Sequence, residues 1–139
     1  RGVGPRRASK YGLETWEYIS EADTEIMVIC QIETSKAVEN VSDILSVDGV
    51  DALFVGPYDL AVSMGHKGDV FNPNVQNAMD KVLRESKKMD IPVGSYASKP
   101  EDVHMLMAKN FRIISLANDT TLLMRGCQDF LKYARGSNR

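Results

Sequence analysis

The stretch "EIMVICQIETSKAVENVSDILSVDGVDALFVGPYDL", residues 25–60, carries the pattern that decides the fold. An apolar run at 25–33 predicts a buried strand, and apolar residues at helical spacing predict a helix over 35–45. The turn "VDGVD" then leads into a second apolar strand at 52–56. The stretch therefore predicts a strand–helix–strand unit, which is typical of a parallel sheet with helices outside it.

The same alternation continues along the rest of the chain. Two more strands are predicted at 91–97 and 111–117, and helices at 72–89, 99–110 and 118–135. Asn72 is expected to cap the first of these helices, with Pro73 in its first turn, and Ser98 and Glu101 to form a capping box for the second. Four consecutive strand–helix units without a long linker predict one domain over residues 1–139.

Two closures of such a sheet are possible, an open doubly wound sheet and a (β/α)8 barrel. No G-x-G-x-x-G motif follows any predicted strand, which disfavours the dinucleotide-binding form of the open sheet. Roughly 35 residues per unit, taken eight times, approaches the ~250 residues of a typical TIM barrel. We predict an α/β fold in which this chain forms about the last four β/α units, the C-terminal half of a single barrel domain.

The bulk composition narrows the class of partner. The 139 residues are 43% hydrophobic and 26% charged, with a formal net charge of −2, so nothing suggests a nucleic acid or an anionic membrane. No apolar run reaches the ~18 residues of a membrane span. Cys30 and Cys127 lack metal-binding spacing and are expected to be free thiols. This usage is typical of a reducing compartment and predicts a cytoplasmic protein.

Carboxylates stand where two neighbouring strands end. Gln31 and Glu33 close the first strand, and Asp59 lies just past the second. Barrel active sites occupy this edge, and strands ~4.8 Å apart would let Glu33 and Asp59 converge. Two such charges repel each other unless a cation or a shared proton intervenes, so a site for Mg²⁺ or Mn²⁺ is one interpretation. In the other, Glu33 caps its helix or pairs with a lysine, and Asp59 caps the turn after Pro57.

Several motifs together resemble one enzyme family. "QIET" at 31–34 and "GPYDL" at 56–60, at this separation, are similar to the paired motifs of the HpcH/HpaI aldolases, a family of metal-dependent pyruvate aldolases. "RGVGPRRASKYG" at 1–12 resembles the loop before the fifth strand of that family, and "NDTTLLMRG" at 118–126 resembles the segment after its eighth strand. The resemblance implies a TIM barrel of the phosphoenolpyruvate/pyruvate type.

The resemblance also implies a role for particular residues. It makes Glu33 and Asp59 the ligands of a divalent metal, and places Gln31 against the substrate. The backbone amides of Tyr58 and Asp59 would meet the carboxylate of pyruvate. Mg²⁺ or Mn²⁺ is the expected metal, with Co²⁺ and Zn²⁺ as alternatives because two carboxylates discriminate weakly. A homo-oligomer, typically a hexamer, is implied as well.

The implied activity is reversible cleavage of a 4-hydroxy-2-oxo acid to pyruvate, or a related oxo acid, and an aldehyde. The family's base is a histidine, supported by an arginine, and both belong to the first half of the barrel. His66 and His104 match neither position and are expected at the surface, so no catalytic residue is identified in this chain and the chain alone is expected to be inactive. Asn110 stands where the family often has glycine, at a helix end that favours positive φ.

Two other functions remain open on the sequence. The first is a truncated, non-catalytic half-barrel that binds a metal, an oxo acid or a partner subunit. The second is a lyase that acts on a coenzyme A thioester, as in citrate-lyase-like relatives.

Overall fold

The computed structural model describes residues 4–136, so residues 1–3 of the segment at 1–12 lie outside the described residues. Four strands form within this range: β1 (Ile29–Ile32), β2 (Ala52–Val55), β3 (Val93–Ala97) and β4 (Ile113–Leu116). A 3-10 helix, Arg7–Gly12, comes first, and the α-helices are α1 (Thr15–Glu25), α2 (Ser35–Glu39), α3 (Val41–Leu45), α4 (Pro57–Ser63), α5 (Pro73–Lys88), α6 (Pro100–Ala108) and α7 (Asp119–Ala134).

The four strands form one parallel sheet in the order β1-β2-β3-β4. Ile32 of β1 is paired with Val55 of β2, Val55 is paired with Ser95 of β3, and Tyr96 of β3 is paired with Ser115 of β4. Each strand pairs with the next strand along the chain, as expected for successive right-handed β/α units. The predicted α/β architecture, a parallel sheet forming part of a barrel, is confirmed.

The core lies between the sheet and the helices on one of its faces. Ile32, Leu53 and Val55 of the strands are fully buried there, in one cluster with Val75 and Val82 of α5. The helix predicted over 72–89 therefore forms and packs its apolar residues against the sheet. Asn72 caps it, because its side-chain oxygen accepts a hydrogen bond of 3.0 Å from the Asn74 amide, and Pro73 occupies the first turn, both as predicted.

Three details of the prediction are wrong. The helix predicted over 35–45 is two short helices, because Asn40 leaves helical geometry at φ −90° and ψ 11°. Ser98 does not cap α6. Lys99, the residue directly before the helix, holds the N-cap position without a side-chain hydrogen bond, and the Ser98 hydroxyl donates to Asp102 at 2.9 Å. The first strand begins at Ile29 rather than at residue 25, because α1 continues to Glu25.

The departure from the usual family residue at position 110 is accommodated by the backbone. Asn110 has φ 71°, in the left-handed region that asparagine tolerates better than most residues. Its amide donates to the Met107 carbonyl at 2.9 Å, and the next amide, of Phe111, donates to Leu106 at 3.0 Å. These two bonds close the C-terminal end of α6 in the way that glycine usually allows.

Much apolar surface stays open within residues 4–136. Helix α7 contains no buried residue, and Phe130 on it is 80% exposed. Helix α1 buries only Ala22 and leaves Trp16 80% exposed. The sheet face opposite the core also carries exposed or half-buried side chains, including Gln31, Phe54 and Tyr96. No helix in the described range is long and apolar enough to cross a membrane.

This open surface generates a prediction for the 139 residues studied by themselves. We expect them to associate with increasing concentration, because open sheet edges and uncovered apolar helices favour contact between copies. Size-exclusion chromatography with light scattering, combined with thermal unfolding at several concentrations, measures this. A monomeric mass of 15.4 kDa with sharp, concentration-independent unfolding would contradict it.

Candidate metal and substrate site

Glu33 follows β1 directly, and its side chain lies against the backbone of Gly56. A Cβ atom added to Gly56 would stand 2.8 Å from Cγ of Glu33 and 3.0 Å from its Oε1. The approach to Cγ is closer than real Cβ atoms come to other atoms, so with any other residue at position 56 the side chain of Glu33 would have to move. The chain pairing brings the two residues together, since the Gly56 amide donates to the Ile32 carbonyl at 3.2 Å.

Asp59 lies in the first turn of α4, three residues after Gly56. Gly56 is the N-cap of this helix and Pro57 its first residue, so the segment predicted as a turn is in fact a helix start. Gly56 has no side chain to cap the helix, and first-turn amides have no acceptor within a helix. The amides of Tyr58 and Asp59 therefore follow within three residues of Gly56, the residue against which the Glu33 carboxylate lies.

Neither carboxylate is used to hold the fold within residues 4–136. The hydroxyl of Thr34, rather than Glu33, caps α2 by accepting from the Ala37 amide at 3.1 Å. No ion pair or hydrogen bond of the described chain involves the side chain of Glu33 or that of Asp59. The interpretation in which Glu33 caps its helix or pairs with a lysine, and Asp59 caps a turn, is therefore wrong.

The other two predicted substrate residues lie near these carboxylates. Gln31 precedes Glu33 by two positions, so it lies on the same face of the sheet, and it is exposed. Tyr58 is 46% exposed, and its ring meets that of Tyr96 edge to face, with the centroids 6.4 Å apart. The two tyrosines share a cavity of about 240 Å³ with Phe71.

Tyr96 is the residue near the site that sequence reasoning missed. It occupies the C-terminal part of β3, two positions beyond Gly94 in the strand "VGSYA". The register β2–β3 pairs Val55 with Ser95, so the next positions, Gly56 and Tyr96, lie at one level of the sheet. The sequence gives no signal for it, because a tyrosine inside a strand is ordinary and its level relative to Gly56 depends on the register between two strands.

The remaining candidate ligands do not join the site. His104 is exposed on α6, as expected, whereas His66 is half-buried in the loop after α4, where its amide donates to the Ala61 carbonyl at 2.8 Å. Cys30 and Cys127 are free thiols. In the described part of the chain, no group of three or more His, Cys, Asp or Glu side chains could hold a metal. The site therefore offers two carboxylates, and further ligands would have to come from outside these residues.

Comparisons with known proteins identify the family of this chain. The sequence model of the HpcH/HpaI aldolase/citrate lyase family matches residues 4–126. A hydroxypyruvate/pyruvate aldolase from Paraburkholderia phytofirmans is 37% identical over 97% of this chain and 52% of its own length. A 4-hydroxy-2-oxo-heptane-1,7-dioate aldolase from Klebsiella pneumoniae is 35% identical over 92% of this chain and 49% of its own.

A solved structure extends the match to three dimensions. The crystal structure of an HpcH/HpaI aldolase/citrate lyase family protein from Burkholderia cenocepacia J2315 shares 36% identity and a TM-score of 0.87, covering 98% of this chain and 53% of that one. The chain thus spans about half the length of the relatives it matches. With a family match that covers both "QIET" and "GPYDL", this chain belongs to the HpcH/HpaI aldolase/citrate lyase family of lyases.

Proposed function

We propose that the protein carrying this chain is a divalent-metal-dependent aldolase. It reversibly cleaves a 4-hydroxy-2-oxo acid to pyruvate, or a related oxo acid, and an aldehyde. The observation that carries the proposal is the Glu33 carboxylate seated on Gly56, at the start of the helix that bears Asp59. The aldolases among its relatives, at 35–37% identity, support the reaction class.

The residues at the site fit a divalent metal. Glu33 and Asp59 supply hard oxygen donors, which suit Mg²⁺ and Mn²⁺. Neither side chain makes a hydrogen bond or an ion pair within the described chain. Two carboxylates leave room in the coordination shell for substrate oxygens and water. They discriminate weakly between metals, so Co²⁺ and Zn²⁺ are also admitted.

The metal, when bound, supplies Lewis-acid stabilisation of the negative charge that develops on the 2-oxo group. The chain's own groups then orient the substrate. The amides of Tyr58 and Asp59 donate to the substrate carboxylate, and they are fixed in place by Pro57 and the helix that follows. Gln31, exposed on the same face as Glu33, donates to or accepts from the substrate oxygens.

The rest of the reaction needs groups from outside this chain. Cleavage of the bond between C3 and C4 requires a base that takes the proton of the 4-hydroxyl while the electron pair stays on the oxo-acid fragment. His104 lies exposed on α6, and within residues 4–136 the side chain of His66 makes no hydrogen bond or ion pair with Glu33 or Asp59. In the proposal, residues 1–139 are the C-terminal half of one barrel, the other half supplies the base and an arginine, and the assembly is a homo-oligomer, by resemblance a hexamer.

Substitution of the two carboxylates tests the metal site. Glu33→Gln and Asp59→Asn are each expected to weaken Mn²⁺ binding by more than about 100-fold, the upper end for residues that only support a ligand. The natural protein is titrated with Mn²⁺, and electron paramagnetic resonance measures the concentration of free Mn²⁺ at each step. Glu39→Gln and Asp48→Asn, which change exposed acids by the same charge, are the matched controls. Mn²⁺ affinity at the original level in both site variants would refute the assignment.

Removal of the metal tests the reaction itself. After exhaustive chelation, the natural protein is expected to lose its release of pyruvate from a 4-hydroxy-2-oxo acid, and to regain it when Mg²⁺ or Mn²⁺ is added back. Lactate dehydrogenase coupled to the assay measures the pyruvate. Full turnover without metal would contradict the metal mechanism. Cleavage of a coenzyme A thioester with no pyruvate formed would instead identify a citrate-lyase-like enzyme.

Gly56 provides a sharper steric test. Its φ of −87° is open to alanine, and the three atoms nearest an added Cβ all belong to Glu33, so Gly56→Ala acts first on that side chain. We expect at least about a tenfold loss of Mn²⁺ affinity, because the carboxylate must move away from its position. Gly126→Ala is the control, since a Cβ at that position in α7 meets nothing within 4 Å. Unchanged Mn²⁺ affinity in Gly56→Ala, with the circular dichroism spectrum retained, would show that the contact does not position Glu33.

A further inference from the structure

A second cleft lies at the opposite end of the sheet from Glu33 and Asp59. Its volume is about 600 Å³, within the range of sites for small organic molecules. It runs from the C-terminal half of α5 to the segments that enter β3 and β4. Because the five residues of β3 span about 13 Å, this cleft and the strand-end carboxylates are separate sites.

The cleft combines an apolar wall with an excess of positive charge. Leu83 and Ile91 are partly buried along it, and Val93 is 3% exposed. Four of its side chains are cationic (Arg84, Lys87, Lys109 and Arg112) and two are acidic (Asp80 and Asp90). The whole chain shows the opposite balance, with 17 Lys and Arg against 19 Asp and Glu.

Only one of the four cations has a partner in the described chain. Lys109 donates to Asp80 at 2.8 Å and to Gln76 at 2.9 Å. Arg84, Lys87 and Arg112 make no side-chain hydrogen bond or ion pair with any residue of 4–136. Three free cations therefore face one free acid, Asp90.

These cations are not needed to close the helices nearby. Basic side chains often satisfy the last carbonyls of a helix, and both α5 and α6 end at this cleft. Here backbone amides do so: Ile91 donates to the Ser86 carbonyl at 3.1 Å, and Phe111 to the Leu106 carbonyl at 3.0 Å. Arg112 lies between α6 and β4, one residue before the strand begins.

We propose that this cleft binds a small organic anion, with a phosphate or carboxylate group on Arg84, Lys87 and Arg112 and an apolar body on Leu83 and Ile91. Guanidinium groups offer paired donors that match both anions. The apolar wall adds selectivity for an anion that carries a ring or an alkyl chain over the bare inorganic ion. This site is independent of the proposed aldolase activity.

Ligand-observed saturation-transfer NMR on the natural protein, with phenyl phosphate as the probe, tests the proposal. Saturable binding is expected, at least tenfold weaker in the double variant Arg84→Ala/Arg112→Ala. Lys36→Ala/Arg125→Ala removes the same charge from two exposed positions outside the cleft and is expected to bind as the parent protein does. Pyruvate release in the absence of the probe should be the same in both double variants.

Three results would overturn the proposal. The first is the absence of saturable phenyl phosphate binding at millimolar concentration. The second is inorganic phosphate binding as tightly as phenyl phosphate, which would remove the role of the apolar wall. The third is equal binding of phenyl phosphate by the parent protein and by Arg84→Ala/Arg112→Ala. None of these results depends on whether the aldolase proposal holds.

Discussion

The contact between Glu33 and Gly56 is the constraint on which the candidate site depends. A carboxylate at the end of a strand can turn in several directions, and here the neighbouring strand decides which one it takes. Because Gly56 has no Cβ, the side chain of Glu33 lies flat against the next strand, with its oxygen near the start of α4. The glycine thus joins the motif "QIET" to the motif "GPYDL", and neither motif would build the site without the other.

The same construction occurs one strand further along the sheet. A Cβ on Gly94 would stand 2.6 Å from the ring of Phe54 and 2.8 Å from the Ile113 carbonyl, so Phe54 of β2 lies over β3 as Glu33 lies over β2. On the helix-facing side, Val55 and Ala97 pack conventionally in the core. The face with the glycines is therefore shaped by side chains leaning onto the adjacent strand, which requires a parallel sheet in the observed register.

Prediction from sequence succeeded where a single local signal dominates. The apolar runs identified the four strands because the strands of parallel sheets are rich in continuous hydrophobic residues. The pairing of Asn72 with Pro73 placed the start of α5. Failures occurred where a local preference competed with another contact. Ser98 bonds Asp102 rather than closing α6, and Asn40 interrupts a helix whose apolar spacing continues past it.

The candidate site shows the same division. Glu33 and Asp59 stood out in the sequence because each follows an apolar strand, and a carboxylate at the end of two neighbouring strands is unusual. Tyr96 could not, since a tyrosine in a strand is ordinary, and its contact with Tyr58 depends on register between strands that are far apart in sequence. Helix α1 was missed because a helix that buries only Ala22 has no periodic stripe to detect.

In the described part of the chain, side chains of opposite charge stay without ion-pair partners at the two ends of the sheet. At the carboxyl ends, Glu33 and Asp59 have no cationic partner, and at the amino ends Arg84 and Arg112 have no acidic one. The helix ends beside both groups are closed by other means, through the Thr34 hydroxyl and through backbone amides. Because the fold needs neither set of charges, removing them should alter ligand binding more than stability, which separates a binding role from a structural one at each end.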